Sequence, residues 1–141
     1  MATAELSRAV EKLADIPSLS RSELIEAITG GLPAELVREL AARMGITLEE
    51  ASALLRLTPR TLQRRLEEGR LALAESERLW ELARLFFRAI EVLESEEAAV
   101  QWFNSRLRAL GWATPLAFAR TAVGLRELEN ILGRIEHGVF S

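Results

Sequence analysis

Apolar residues recur along this chain at intervals of three and four, and no stretch alternates apolar and polar in the manner of a half-buried strand. The pattern predicts an all-α fold. Leu6, Val10 and Leu13 mark an amphipathic helix over Glu5 to Ala14, which Ile16 and Pro17 end. Ser20 and Glu23 stand at capping-box spacing, so a short helix follows through Ile28. Gly30 and Gly31 break it. Pro33 suits the first turn of the next helix, whose buried stripe is Leu36, Val37, Leu40 and Met44 before Gly45 closes it.

The stretch from Ile46 to Leu71 then reads as a short helix, a tight turn and an arginine-rich second helix. Thr47 and Glu50 repeat the capping-box spacing, and Ala51, Leu54 and Leu55 face inward, the small Ala51 permitting a close helix crossing. Thr58 caps the second helix with Pro59 at its first position, where a missing N–H costs nothing. Leu62 and Leu66 anchor that helix to the core. Their spacing leaves Arg60, Thr61, Gln63, Arg64 and Arg65 on outward or flanking faces.

Beyond Leu71 the apolar face widens. Ala74 to Glu94 is expected to form one long helix in which Leu79, Leu82, Ala83, Phe86, Phe87, Ile90 and Leu93 cover a face broad enough for the core and for part of a dimer contact. Ser95, followed by Glu96 and Glu97, begins a helix that runs past Trp102, Phe103 and Leu107 to Gly111. Thr114 and Pro115 open another, which Gly124 is expected to close in the left-handed region. Leu125 to Glu136 is the last helix, striped by Leu128, Ile131, Leu132 and Ile135 and ended by Gly138. The expected organisation is an N-terminal helical segment over 1–30, a helix-turn-helix over 31–72 and a further helical domain over 73–141.

Composition removes several classes of chemistry. The chain has 141 residues, no cysteine and a single histidine, His137, which leaves no thiolate or histidine zinc site and no cysteine nucleophile. No nucleophile constellation or phosphate loop stands in the sequence; no metal, cofactor or catalytic residue is expected. No apolar run approaches the roughly 20 residues of a membrane span, and the acidic, polar N-terminus lacks a secretory signal, so the protein is read as soluble and cytoplasmic.

The formal charge of −3 argues at first against a nucleic-acid partner. Its distribution reverses that. From Arg56 to Arg70 five arginines stand against two glutamates, a local net of +3 on the helix-turn-helix. In such a motif the N-terminal part of the second helix enters the major groove, where arginine addresses guanine and glutamine adenine. Thr58, Arg60, Thr61, Gln63, Arg64 and Arg65 are therefore the candidate DNA-binding residues. Thr58 and some of the arginines suit phosphates rather than bases. Arg70 is equally suited to a phosphate or to Glu67. A helical hairpin whose arginines are merely solvated is the plainer alternative.

Glu75-Ser76-Glu77-Arg78-Leu79, the Trp102 helix, Leu110-Gly111 with Thr114-Pro115-Leu116, Thr121-Ala122-Val123-Gly124 and Gly138-Val139 resemble the Xre/MbcA/ParS antitoxins over about residues 31–141. The resemblance implies a non-enzymatic antitoxin of a type II toxin-antitoxin system, whose partner is a RES-domain toxin that degrades NAD. It further implies that the C-terminal segment, with Arg134, His137, Gly138, Val139, Phe140 and Ser141, covers the toxin's active-site entrance, and that the helix-turn-helix represses the shared operon. A homodimer on palindromic operator DNA is expected.

Two other readings stay open from the residues themselves. One is a stand-alone regulator that binds a small molecule among Trp80, Phe87, Trp102 and Trp112, aromatics that serve equally as ordinary core. The other is an interaction module whose helix-turn-helix has lost DNA, which a pI near 5.4 would suit.

Overall fold

A computed structural model describes residues 10–138, and among them the ordered elements are helices. They are α1 (Arg21–Thr29), α2 (Glu35–Met44), α3 (Leu48–Leu54), α4 (Pro59–Glu68), α5 (Leu73–Leu93), α6 (Glu96–Phe103), α7 (Pro115–Phe118) and α8 (Ala122–Glu136). Two 3-10 turns, Leu13–Ser18 and Arg108–Leu110, complete the order. The chain divides into two compact units, one up to Trp80 and one from Glu81, with the division inside α5.

In the first unit the caps form where the side-chain spacing places them. The hydroxyls of Ser20, Thr47 and Thr58 accept the N–H of Glu23, Glu50 and Thr61, satisfying donors that the first helical turn leaves open. Helix α2 packs on α3, and α3 on α4. Leu36, Val37, Leu40, Met44, Ala51, Leu54, Leu55, Leu62 and Leu79 are buried. Leu66, expected as a second anchor of α4, is only half-buried.

Two extended segments clamp the ends of this bundle. Leu71 N–H donates to the Leu32 carbonyl at 2.9 Å and Ala34 N–H to that of Gly69 at 3.0 Å, around a bridge between Pro33 and Arg70. The approach is tight enough that a Cβ on Gly31 (φ 91°) would lie 2.6 Å from the Leu71 carbonyl oxygen. Pro33 consequently lies in the bridge, and α2 starts two residues later than its proline suggests. The buried hydroxyl of Ser76 on α5 accepts the Leu32 N–H at 2.9 Å.

Three sequence expectations are corrected. Half of the helix expected over 5–14 falls outside the described residues, and the described half, Val10 to Ala14, is not α-helical. The Asp15 carboxylate accepts the N–H groups of Glu11 and Lys12, which turns the chain into a 3-10 segment that contains Pro17. Helix α6 ends at Phe103, well short of Gly111. Asn104 and Ser105 donate side-chain hydrogen bonds to the carbonyls of Val100 and Gln101, competing with helix continuation, and Leu107 turns extended to pair with Ala113.

Gly124, expected to end α7 in a left-handed conformation, lies in the first turn of α8, where Thr121 caps it. Its lack of a side chain serves contact: a Cβ there would fall 1.7 Å from the Phe118 carbonyl oxygen. Because that obstacle is backbone, Gly124→Ala is expected to force α7 and α8 apart and cost about 2 kcal/mol despite alanine's better helix propensity. Thermal denaturation of the variant checks this; an unchanged Tm would show that the helices can separate freely.

The second unit buries Leu82, Leu85, Phe86, Ala89, Trp102, Phe103, Leu128, Ile131 and Leu132. Phe103 packs edge-on against Trp102, centroids 5.0 Å apart, and lies 6.2 Å from Phe86. These aromatics fill space for one another, as core residues do.

Candidate DNA-reading helix and C-terminal contact segment

Helix α4 begins at a built turn. Arg56 takes φ 58° after α3, its N–H bonding to the Ala53 carbonyl, while Leu57 N–H bonds to that of Ser52 at 2.8 Å. This double closure is a Schellman arrangement, and it redirects the chain into Thr58 and Pro59. From α5, Arg78 donates to the Leu55 carbonyl at 3.3 Å and ties the turn to the longer helix.

Arg60, Gln63 and Arg64 are exposed on α4, and together with Thr61 and Glu67 they line a shallow groove of about 500 Å³. No side-chain hydrogen bond or salt bridge within the described residues engages Arg60, Gln63 or Arg64, although the Arg64 charge helps to hold the Glu75 carboxyl down. Thr58 Oγ1 accepts from the Thr61 N–H and donates to Thr61 Oγ1 at 3.0 Å. Glu67 belongs to this face too, although charge counting alone marks it only as a local offset. A carboxylate there is able to accept from cytosine N4 and repels a misplaced phosphate.

Arg65 is placed differently from its neighbours. Its Nε and Nη2 donate to Glu75 Oε1 and Oε2 at 2.7 and 3.0 Å, and its Nη1 reaches Glu68 at 3.2 Å. The Arg65 and Glu75 side chains are only 21% and 10% exposed. Burial disfavours the charge on Glu75, but the Arg65 guanidinium and the Ala72 N–H outweigh it and hold the carboxyl below its ordinary range. Arg65 thus fixes α4 against the start of α5. Arg70 is likewise occupied, donating to the Gly31 carbonyl at 3.0 Å.

At the other end of the chain, Arg88 on α5 makes a two-pronged pair with Glu136 on the last turn of α8, with Nη1 to Oε2 at 2.7 Å. That hydrogen bonding holds the Glu136 carboxyl below its ordinary range. Arg134 lies 3.6 Å from Glu127, and Arg84 pairs with Glu129. His137 caps α8 with its side chain 76% exposed, and Gly138 turns left-handed at φ 71°. Val139, Phe140 and Ser141 lie outside the described residues. The described residues hold no group of three or more His, Cys, Asp and Glu able to bind a metal, and no helix long and apolar enough to cross a membrane. A cleft of about 360 Å³ in this unit is lined by Ala117, Phe118, Thr121, Val123, Gly124 and Glu127, which include none of Trp80, Phe87, Trp102 and Trp112.

An α4 that presents unpaired arginines from a capped turn, carried on a three-helix bundle, defines a DNA-binding protein of the helix-turn-helix class. Residues 23–84 match the antitoxin Xre-like helix-turn-helix domain, and residues 88–138 match the antitoxin Xre/MbcA/ParS C-terminal toxin-binding domain. The chain belongs to this family of toxin-antitoxin antitoxins. It is 26% identical over 137 residues to antitoxin Xre of Yersinia enterocolitica, covering 96% of this chain and 93% of that one. It is 28% identical over 127 residues to antitoxin Xre of Photorhabdus laumondii, covering 89% and 86%. The fold is shared, at a TM-score of 0.57 and 24% identity, with a chain of the Mycobacterium tuberculosis MbcT-MbcA toxin-antitoxin complex, over 77% of this chain and 96% of that one.

Proposed function

We propose that this antitoxin neutralises a RES-domain, NAD-degrading toxin by seating its C-terminal segment over the toxin's active site, and that as a homodimer it represses the operon encoding both proteins. The match of residues 88–138 to the toxin-binding domain carries the reading. The Arg88–Glu136 pair supports it, because it steadies the last turn of α8, which carries the proposed contact residue Arg134 and leads directly into His137, Gly138, Val139, Phe140 and Ser141. On the DNA side the proposed contacts are Arg60, Thr61, Gln63 and Arg64, with Thr58 at a phosphate and Arg65 holding the helix in position. Two such helices would read half-sites about one helical turn apart.

Co-expression with the adjoining gene tests this directly. The adjoining product is expected to co-purify with the antitoxin, and alone to deplete cellular NAD. A co-purified partner without NAD-consuming activity would remove the RES assignment, and no co-purification would remove the neutralisation reading.

A further inference from the structure

Trp112 is 58% exposed and its backbone is left-handed, at φ 69°. That conformation is unfavourable for any residue with a Cβ, and a bulky residue adopts it only where its surroundings dictate it. Here they do. Leu107 N–H donates to the Ala113 carbonyl at 3.0 Å and Trp112 N–H to that of Leu107 at 2.8 Å. Gly111 and Ala113 N–H groups close on Arg108 and Leu110, and Arg106 Nε donates to the Trp112 carbonyl at 3.0 Å. The loop is closed at every turn, and what it displays is an indole in water.

Among the described residues no hydrogen bond or ring contact engages the indole to repay that arrangement. Glycine would meet the same backbone without strain, asparagine at small cost, and neither would leave so large an apolar surface exposed. We propose that Trp112 is an anchor by which the toxin-binding domain grips its toxin, filling an apolar socket on that protein. Trp112 lies inside the matched toxin-binding range, exposed Arg106 is bonded to its carbonyl, and exposed Arg108 belongs to the same loop. An aromatic beside arginines is the composition of a contact centre, and the socket it fits is apolar with carboxylates at its rim. The inference rests on the toxin-binding reading above and adds a second contact, distinct from the C-terminal segment.

Trp112→Gly and Trp112→Asn separate anchoring from packing, because both relieve the backbone while removing the indole. With the catalytically inactivated product of the adjoining toxin gene immobilised, each variant of the full chain is expected to bind at least about 30-fold more weakly than the wild type, mainly through faster dissociation, with Tm unchanged or raised. Binding within about threefold of wild type would overturn the proposal. So would a Tm lowered by several degrees, which would make the indole part of the fold, or a changed oligomeric mass by light scattering, which would make the socket a second copy of this chain. If the wild-type protein itself fails to bind, it is the toxin-binding reading that fails.

Discussion

Replacing Arg60 and Arg64 together by alanine is expected to lower affinity for the DNA upstream of its own gene at least about 100-fold and to leave the fold intact. Each arginine is exposed on the α4 face, and its side chain makes no hydrogen bond or salt bridge among the described residues. The only internal interaction touched is the long-range attraction between Arg64 and Glu75, which is minor beside that of Arg65. A good bidentate base contact contributes roughly 1–3 kcal/mol of discrimination, and each lost phosphate contact flattens the salt dependence by about one unit of slope. Titrations of that DNA over a range of salt measure both effects. An affinity within a few-fold of wild type would mean that this face does not read DNA.

Glu75→Gln gives the same prediction a sharper edge. If Arg65 touched DNA, releasing it from Glu75 would strengthen binding. With Arg65 holding α4 in position, the substitution instead weakens specific binding and costs about 2 kcal/mol of stability, since it leaves a largely buried guanidinium poorly matched. The pH dependence has a definite sign. Because the folded protein holds the Glu75 carboxyl below its ordinary value, the stabilisation is complete above the unfolded pKa, near 4.5, and fades as pH falls through the lowered one. Acid denaturation of Glu75→Gln is therefore expected to be less steep than that of the wild type below about pH 4.5.

Removing residues 137–141 is expected to abolish protection from the toxin while leaving DNA binding and Tm nearly unchanged. Among the described residues the buried apolar positions of α8 end at Leu132, and the Arg88–Glu136 pair survives the truncation. His137 is exposed and donates nothing that the core requires. A truncated protein that still forms a tight complex with the toxin would place neutralisation elsewhere on the domain. A truncated protein that unfolds would show these residues to be part of its packing.

How much of this was legible in the sequence depended on how far apart the interacting groups stand. Ser20, Thr47, Thr58 and Thr114 signal their helix starts through contacts three residues away, and the structure forms each of those caps. Which residues of α4 are exposed was also legible from local spacing, since Leu62 is buried and Arg60, Gln63 and Arg64 lie on the outer face. Arg65 did not, because its partner Glu75 comes from another helix and only tertiary structure brings the two together. Gly124 was misread for a related reason: a glycine required for close approach to the Phe118 carbonyl looks, in sequence, like one that ends a helix. The end of α6 turned on Asn104 and Ser105, whose competition with the backbone periodicity does not register. Trp112 gave no sign of its left-handed backbone, which the hydrogen bonds across its loop impose.

The proposed function divides the work between two units, with DNA at α4 and toxin at the C-terminal end. The most direct measurement is cellular NAD after induction of the adjoining toxin, in cells carrying wild-type antitoxin, Arg60→Ala/Arg64→Ala, or the protein ending at Glu136. NAD is expected to hold steady with the first two and to collapse with the third. Collapse with the wild type, or full protection by the truncated chain, would overturn the assignment.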